Sequence, residues 1–310
     1  MTIHIIYIIL GAALVLWGAD RLTEGAVAIA ARLRMPQMAI GLTIVAMGTS
    51  MPEFCVSLAS ALKASADLAV GNVVGSNIFN TMLIVGAAAT IAPMAVLPKT
   101  VRRDMPFALM ASVALLLMCT DGTVTRLDGI ILFAMFLFYM AYTLKTATRT
   151  ATPSSGQAPA TMRPITAIAW LTVGILCLMA GSNIFVSGVS DLARQLGVSD
   201  AVIGLTIVAG GTSLPELATS MVSAYKGQSG IAIGNVLGSN VFNILMILGL
   251  TSTITPLEIC GITMLDLSLL VISMGMLLLF SYTKLTIERW EGILLSLMFF
   301  AYMTYLVVNA

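Results

Sequence analysis

Long apolar runs, separated by short polar segments, dominate the sequence of this chain. Each run is about 17–25 residues long, the length that crosses the hydrocarbon core of a bilayer as an α-helix. Backbone groups inside a membrane must be satisfied within the segment, so helices are expected, and the alternation typical of a membrane β-strand is absent. The pattern predicts an all-α integral membrane protein with ten transmembrane helices, at residues 3–20, 37–62, 67–91, 105–120, 128–146, 165–188, 201–225, 229–253, 263–282 and 288–308.

The segment between the fifth and sixth spans, residues 147–164, is rich in Thr, Ser, Pro and Ala and predicts a flexible linker. It divides the chain into two units of five spans, residues 1–146 and residues 165–310. The first apolar run has no basic segment before it and no evident cleavage site after it. We therefore expect a retained span and not a signal peptide.

Basic residues determine the predicted orientation. When the loops are alternated across the membrane, 12 of the 15 Lys and Arg residues fall on one side. Cytoplasmic loops carry such an excess of Lys and Arg. We therefore predict a multi-pass protein of the cell (inner) membrane, with a cytoplasmic linker and both termini outside.

Composition excludes several classes of protein. Only 9% of the residues are charged, whereas a soluble domain carries about a quarter, and the net charge of +1 argues against nucleic acid as a partner. The only histidine is His4, and the cysteines are scattered, so neither a catalytic triad nor a His-based metal site is evident. We predict a protein that is not an enzyme, has no cofactor and no obligate protein partner, and lies in the lipid bilayer.

The two units are repeats of each other. With an offset of 163, residues 40–86 align with residues 203–249 without a gap, and 27 of the 47 pairs are identical. GLTIVAMGTSMPE returns as GLTIVAGGTSLPE, and GNVVGSNIFN returns as GNVLGSNVFN. Because each unit has an odd number of spans, the second enters the membrane from the opposite side. This predicts two inverted five-helix repeats, an architecture of many secondary transporters.

Glu53 and Glu216 occupy equivalent places well inside predicted spans. An ionisable group there costs about 2.5–3.5 kcal/mol on insertion scales, so its presence indicates function. Both glutamates follow an S-x-P motif typical of a helix start, and Ser50 and Ser213 are predicted to cap that start. A helix that restarts in mid-membrane is a broken helix, and broken helices at corresponding places in two halves point to a binding site.

The residues before each break extend this prediction. Gly48 and Gly211 suit an unwound turn. Unwinding would free nearby main-chain carbonyls, such as those of Ala46 and Ala209, to act as ligands.

The neighbouring spans carry a polar stripe whose members are four residues apart and share one helix face. The stripe consists of Asn72, Ser76 and Asn80 in the first unit and Asn235, Ser239 and Asn243 in the second. It could bind an ion or hold helices together. Asn77 and Asn240 lie about 100° off that face and rank lower as candidates.

All these candidate ligands are oxygens. Hard cations such as Ca²⁺ take six to eight oxygens, whereas softer metals prefer Cys or His. The two carboxylates carry a charge of −2, which one Ca²⁺ or two Na⁺ would neutralise, and neutral oxygens could hold a third Na⁺. Without an ion the carboxylates repel and tend to hold a proton, so pH should matter.

The paired G-T-S-x-P-E and G-N-x-x-G-S-N-x-x-N segments resemble the two α-repeats of the calcium/cation antiporter superfamily, in its prokaryotic-type sodium/calcium exchanger branch. The signature covers about 94 of the 310 residues. The resemblance implies that helices 2, 3, 7 and 8 form the ion sites, and that helices 1 and 6 slide to alternate access while about three Na⁺ exchange for one Ca²⁺. The ligands that it implies are Ala46, Thr49, Ser50, Glu53, Ser76, Asn80, Ala209, Thr212, Ser213, Glu216, Ser239 and Asn243.

The prediction is therefore a sodium/calcium antiporter that works by alternating access. Asn243 stands where some members carry an Asp associated with K⁺ transport, which argues against K⁺ dependence. The alternative is a proton/calcium antiporter of the same superfamily, although those typically carry Glu where Asn80 and Asn243 stand. A calcium channel is less favoured, because coordinating carboxylates buried between two repeats favour occlusion over a continuous pore.

Overall fold

The computed structural model describes residues 2–149, 162–197 and 209–309. Its helices are α1 Thr2–Leu33, α2 Gln37–Thr49, α3 Met51–Leu62, α4 Ala66–Ile91, α5 Thr100–Asp121, α6 Arg126–Arg149, α7 Pro164–Gln195, α8 Ala209–Thr212, α9 Leu214–Tyr225, α10 Ser229–Ile254, α11 Met264–Lys284 and α12 Arg289–Asn309. Four two-residue strands lie in the connections: β1 Met94–Ala95, β2 Thr123–Val124, β3 Leu257–Glu258 and β4 Thr286–Ile287.

Within the described ranges, eight helices are long and apolar enough to cross a membrane. Helices α2 and α3 together form a ninth candidate span, bent by 48°. The predicted span at residues 201–225 lies partly outside the described residues, and α8 and α9 occupy the part that begins at residue 209. The chain is therefore a helical, multi-pass membrane protein.

Helices α1 and α7 are longer than predicted, since each has 32 residues. The prediction ended the first span at residue 20, where charged residues interrupt the apolar run. The helix continues because Asp20 and Glu24 each form ion pairs with both Arg21 and Lys226. At 1.5 Å per residue each helix is about 48 Å long, more than the roughly 30 Å of a hydrocarbon core.

The two long helices pack against each other in antiparallel fashion along their length. Glycines permit this approach, with Gly11 facing Gly181 and Gly18 facing Gly174. A Cβ atom on Gly18 would lie 2.9 Å from the carbonyl oxygen of Gly174, so only glycine fits. The α1–α7 pair lies at the side of a core formed by α4 and α10. In the most apolar segment of α10, 94% of the residues are buried, compared with 22% in that of α1.

Contacts elsewhere recur at positions 163 residues apart. A Cβ atom on Gly86 would lie 2.7 Å from the carbonyl oxygen of Gly292, and one on Gly129 would lie 2.8 Å from that of Gly249. Strand β1 pairs with β4, and β2 pairs with β3. Strand β3 follows β1 by 163 residues and β4 follows β2 by 163 residues, so the two pairings are equivalent. The sequence repeat is therefore also a repeat of contacts.

The last two helices of each unit are joined by a tyrosine and an aspartate. The Tyr302 hydroxyl donates to Asp266 Oδ1 at 2.6 Å, and that of Tyr139 lies 3.4 Å from Asp104 Oδ1. Asp266 follows Asp104 by 162 residues instead of 163. Helix α5 begins with a π-helical turn at Thr100–Asp104, and such a turn accommodates one extra residue.

Candidate cation-binding site

Helices α2 and α3 meet at Ser50, and α8 and α9 meet at Ser213. Pro52 and Pro215 lie in the first turns of α3 and α9, as predicted. The predicted side-chain caps are wrong, because neither serine hydroxyl bonds to the start of its own helix. Each serine hydroxyl instead donates a hydrogen bond to a buried carboxylate of the other unit.

The two serines cross between the units to bind the two glutamates. Ser50 Oγ donates to Glu216 Oε1 at 2.7 Å, and Ser213 Oγ donates to Glu53 Oε1 at 3.0 Å. Ser239 Oγ lies 3.4 Å from the same oxygen of Glu216. Both glutamates have no exposed surface. The predicted carboxylates therefore belong to one site, to which each unit contributes an acid and a hydroxyl donor.

The threonines beside the breaks also reach this site. The side chain of Thr49 lies near that of Glu216, and the side chain of Thr212 lies near that of Glu53. The Thr49 hydroxyl also lies 3.1 Å from Asn235 Oδ1. Equivalent threonines thus contact opposite glutamates, as the serines do.

The predicted unwinding before the break is wrong for the first unit. The Ala46 carbonyl still accepts the Ser50 amide at 3.0 Å and the Thr49 hydroxyl at 3.3 Å. The chain stays helical through a π-helical segment at Gly41–Val45 and a further α-helical turn. A carbonyl oxygen has two lone pairs, and these two donors occupy both, so an ion binds Ala46 only in place of the Thr49 hydroxyl. Ala209 begins α8.

Gly48 and Gly211 serve a different purpose from the predicted unwound turn. A Cβ atom on Gly48 would lie 2.6 Å from Ile175 Cδ1, and one on Gly211 would collide with Val186. Both contacts are with α7. The glycines therefore let α7 pass close to both helix breaks.

Five buried side-chain oxygens of the predicted ligands have no hydrogen-bond partner among the described residues. They are Glu53 Oε2, Ser76 Oγ, Asn80 Oδ1, Glu216 Oε2 and Asn243 Oδ1. Most buried polar atoms in proteins are hydrogen-bonded, so these unpaired oxygens need an explanation. All five belong to residues that the sequence predicted as ligands, and oxygens of this kind suit a hard cation.

Asn77 and Asn240 ranked low in the sequence analysis, yet both are buried and orient the predicted ligands. Asn240 Oδ1 accepts the side-chain amide of Asn80 at 3.1 Å, and Asn77 Oδ1 accepts that of Asn243 at 3.0 Å. Each bond holds the amide nitrogen and leaves the Oδ1 atom of the ligand unpaired. Asn240 also donates to Thr81 at 2.8 Å. Their identity in both repeats is the signal that could have found them.

The first members of the two stripes brace the broken helices. Asn72 Nδ2 donates to the Glu53 carbonyl at 3.2 Å and to Ser57 Oγ at 2.9 Å. Asn235 makes the equivalent bonds to the Glu216 carbonyl and to Ser220. These amides are occupied by main-chain and hydroxyl groups, so they position α3 and α9.

The electrostatics of the site favour a cation. Among the described residues, neither Glu53 nor Glu216 forms an ion pair with a Lys, Arg or His. Removing two unpaired carboxylates from water is costly, and a metal or another cation offsets that cost. Hydroxyl groups bond to the carboxylates but supply no charge.

Comparisons with known proteins agree with this chemistry. The sequence model of the family described as "Sodium/calcium exchanger protein" matches residues 3–145 and 166–308. Inner membrane protein YrbG of Escherichia coli is 38% identical, over 81% of this chain and 80% of its own. Sodium/calcium exchanger MaX1 of Methanosarcina acetivorans is 30% identical, over 99% of both chains.

The fold also matches that of a solved exchanger. The sodium-calcium exchanger NCX_Mj, soaked with 2.5 mM Na⁺ and 0.1 mM Ca²⁺, superposes with a TM-score of 0.86 at 30% identity. The match covers 97% of this chain and 98% of that one. The family consists of membrane transporters that use no cofactor. The chain therefore belongs to the sodium/calcium exchanger protein family, and it is a cation/calcium antiporter and not an enzyme.

Proposed function

We propose that this protein exchanges Na⁺ for Ca²⁺ across the membrane by alternating access at a single site shared by its two repeats. The observation that carries the proposal is that five buried oxygens of the predicted ligands, two of them on the carboxylates, have no hydrogen-bond partner among the described residues. The relatives named above as sodium/calcium exchangers support the same choice of ions.

The proposed ligands are the twelve residues that the family resemblance implies. They are Glu53, Glu216, Thr49, Thr212, Ser50, Ser213, Ser76, Ser239, Asn80, Asn243 and the main-chain carbonyls of Ala46 and Ala209. Ca²⁺ takes six to eight oxygens, so this set has enough donors for one Ca²⁺. The same oxygens would serve Na⁺ in turn, so the two kinds of ion compete.

Charge explains why such a site would exchange ions. One Ca²⁺ or two Na⁺ neutralise the two glutamates, whereas an empty site leaves two carboxylates buried in a medium of low dielectric constant. Conversion between the two access states is therefore favoured when the site is loaded. Exchange of one cation for the other follows, and leakage of a single ion species is disfavoured.

The proposed architecture has ten membrane helices in two inverted repeats, residues 1–146 and 165–310, joined by a cytoplasmic linker at 147–164. The contacts that recur 163 residues apart support this arrangement. The distribution of Lys and Arg supports a location in the inner membrane with both termini outside.

Proton/calcium exchange is the second candidate. Two neighbouring carboxylates without an ion favour proton uptake, which would let H⁺ replace Na⁺. The neutral amides of Asn80 and Asn243 favour the sodium-coupled reaction, because they can bind Na⁺ but have no carboxylate to protonate.

The deciding experiment is ⁴⁵Ca²⁺ uptake into proteoliposomes that contain Na⁺ and are diluted into buffer without Na⁺. Wild-type protein should take up Ca²⁺ only when internal Na⁺ is present, and Glu53→Gln and Glu216→Gln should each abolish uptake. Glu258→Gln is the matched control, because it makes the same chemical change at an exposed position in β3. Uptake driven by a pH gradient and not by Na⁺ would favour proton coupling, and flux independent of both gradients would contradict exchange.

A further inference from the structure

Helix α1 carries a group of charges that lies apart from the glutamate site. Asp20 and Glu24 are one helical turn apart, and both pair with Lys226, the residue after the end of α9. Lys226 Nζ lies 3.3 Å from Glu24 Oε1 and closer to Asp20 Oδ1. Arg21 pairs with the same acids, at 2.6 Å from Asp20 Oδ2 and 2.8 Å from Glu24 Oε2. Asp20, Glu24 and Lys226 are called the α1–α9 latch below.

Hydroxyl groups connect this latch to the glutamate site. Thr219 follows Glu216 by one turn of α9, and its buried Oγ1 atom has no hydrogen-bond partner in the described part of the chain. One turn further, Ser223 Oγ lies 3.0 Å from Thr23 Oγ1 of α1. Lys226 comes three residues later, with 29% of its side chain exposed. A buried polar column thus leads from Glu216 to the latch, which covers its outer end.

The equivalent positions of the other repeat have no latch. The residues that correspond to Asp20, Glu24, Thr219 and Lys226 are Asn183, Ser187, Val56 and Lys63. Lys63 forms no ion pair with any residue that the structure describes. Helix packing shows the same asymmetry between the repeats, because α1 lies along α9 whereas α7 makes almost no contact with α3.

From this asymmetry we propose that the α1–α9 latch holds α1 over the route between Glu216 and the Lys226 side of the membrane. Opening that route requires Lys226 to separate from Asp20 and Glu24, whereas the route on the Lys63 side has no such ion pairs to break. The inference rests on the proposed exchange function, because it concerns access to the same site.

The latch makes the two access states unequal in population. It favours the state that is open on the Lys63 side, and so it weakens the apparent affinity for ions that arrive from the Lys226 side. A partly exposed ion pair corresponds to a factor of about 1.5 to 5 in an equilibrium, and here two pairs share one lysine. Loss of the ammonium group should therefore shift the equilibrium roughly threefold to tenfold.

The first test uses Lys226→Met, which removes the charge and keeps most of the side chain's length. Half-saturating Ca²⁺ is measured in vesicles of known orientation, with Ca²⁺ added at either face. In Lys226→Met it should fall about threefold to tenfold at the Lys226 face and rise at the opposite face, because one equilibrium sets both. Lys226→Arg should restore both values, and the matched control Lys63→Met should change neither. A purely structural defect would lower the maximal rate and leave the ratio of the two values unchanged.

The second test needs no transport. Ser223→Cys, in a chain whose four native cysteines are replaced by alanine, is labelled from the Lys226 face with a membrane-impermeant thiol reagent. Adding Lys226→Met should accelerate labelling of the cysteine severalfold. If the Lys226→Met variant does not fold, Lys226→Gln is used in its place. An unchanged labelling rate, or unchanged half-saturation at both faces, overturns the proposal. Faster labelling in a protein without Na⁺-driven Ca²⁺ uptake would support the latch and reject the exchange function.

Discussion

Replacing Asn77 with alanine should weaken Ca²⁺ binding although Asn77 is not a proposed ligand. Its Oδ1 atom accepts the side-chain amide of Asn243 at 3.0 Å, and this bond leaves Asn243 Oδ1 unpaired. Without that acceptor, the Asn243 amide can present either its nitrogen or its oxygen to the site. The ion must then supply the orientation that the protein supplied before.

The size of the effect follows from the hydrogen bond that is lost. A neutral hydrogen bond contributes about 0.5–1.5 kcal/mol, and interhelical bonds in membranes average about 0.6 kcal/mol. The dissociation constant for Ca²⁺ should therefore rise roughly twofold to tenfold in Asn77→Ala. Asn243→Ala should cause a larger loss, because it removes the oxygen itself.

Titration calorimetry of the purified variants with Ca²⁺ measures this difference directly. Ser112→Ala is the matched control, since Ser112 is also buried but bonds to Ala108 of its own helix. It should bind Ca²⁺ as the wild type does. Wild-type affinity in Asn77→Ala, or a loss as large as that in Asn243→Ala, would refute the orienting role.

Three further predictions concern other parts of the structure. Ser213→Ala removes the hydroxyl bonded to the opposite glutamate, so the dissociation constant for Ca²⁺ should rise roughly tenfold to a hundredfold, as expected for a bond to a charged group of about 1.5–3 kcal/mol. Unchanged calorimetric affinity would contradict the crossed bonds. Gly48→Ala places a methyl group 2.6 Å from a side-chain carbon of α7, so ⁴⁵Ca²⁺ exchange should slow. Gly275→Ala is the control, because no atom lies near the added methyl group, and equal exchange rates in the two variants would count against the close approach. Tyr302→Phe breaks a 2.6 Å bond to a carboxylate and should destabilise the protein by about 1.5–3 kcal/mol. In thermal unfolding it should lower the transition temperature more than Tyr139→Phe does, whose bond is 3.4 Å long, and the reverse order would contradict the geometry.

Much of the candidate site could be predicted because its residues are polar and lie within apolar spans. A carboxylate such as Glu53 is costly in a membrane, so its position alone indicated function. The repeat then identified its partner Glu216 without any knowledge of the fold. Local rules were less successful for Ser50, since a helix start explains a serine equally well as a cap. The competing acceptor is 166 residues away, and only the folded chain brings it near.

The prediction from helix faces ranked Asn77 too low for a related reason. Asn77 lies off the stripe of its own helix, and periodicity treats each helix alone. It contacts α10 and not the stripe of α4, so its role depends on how two helices cross. The length of α1 was also underestimated, because hydropathy registers the charges of Asp20 and Glu24 but not the lysine that pairs with them.

The crossed serine–glutamate bonds have a consequence for the origin of this protein. Neither repeat holds a finished site, because each acid depends on a hydroxyl from the other half. In the proposed inverted arrangement, an unduplicated ancestor would need a second copy inserted the opposite way round. Ion binding would then have been a property of an antiparallel homodimer before fusion joined the halves. Separately produced segments 1–146 and 165–310 should accordingly bind Ca²⁺ only as dimers, either combined with each other or each paired with a second copy of itself, and binding by a monomeric segment would reject this history.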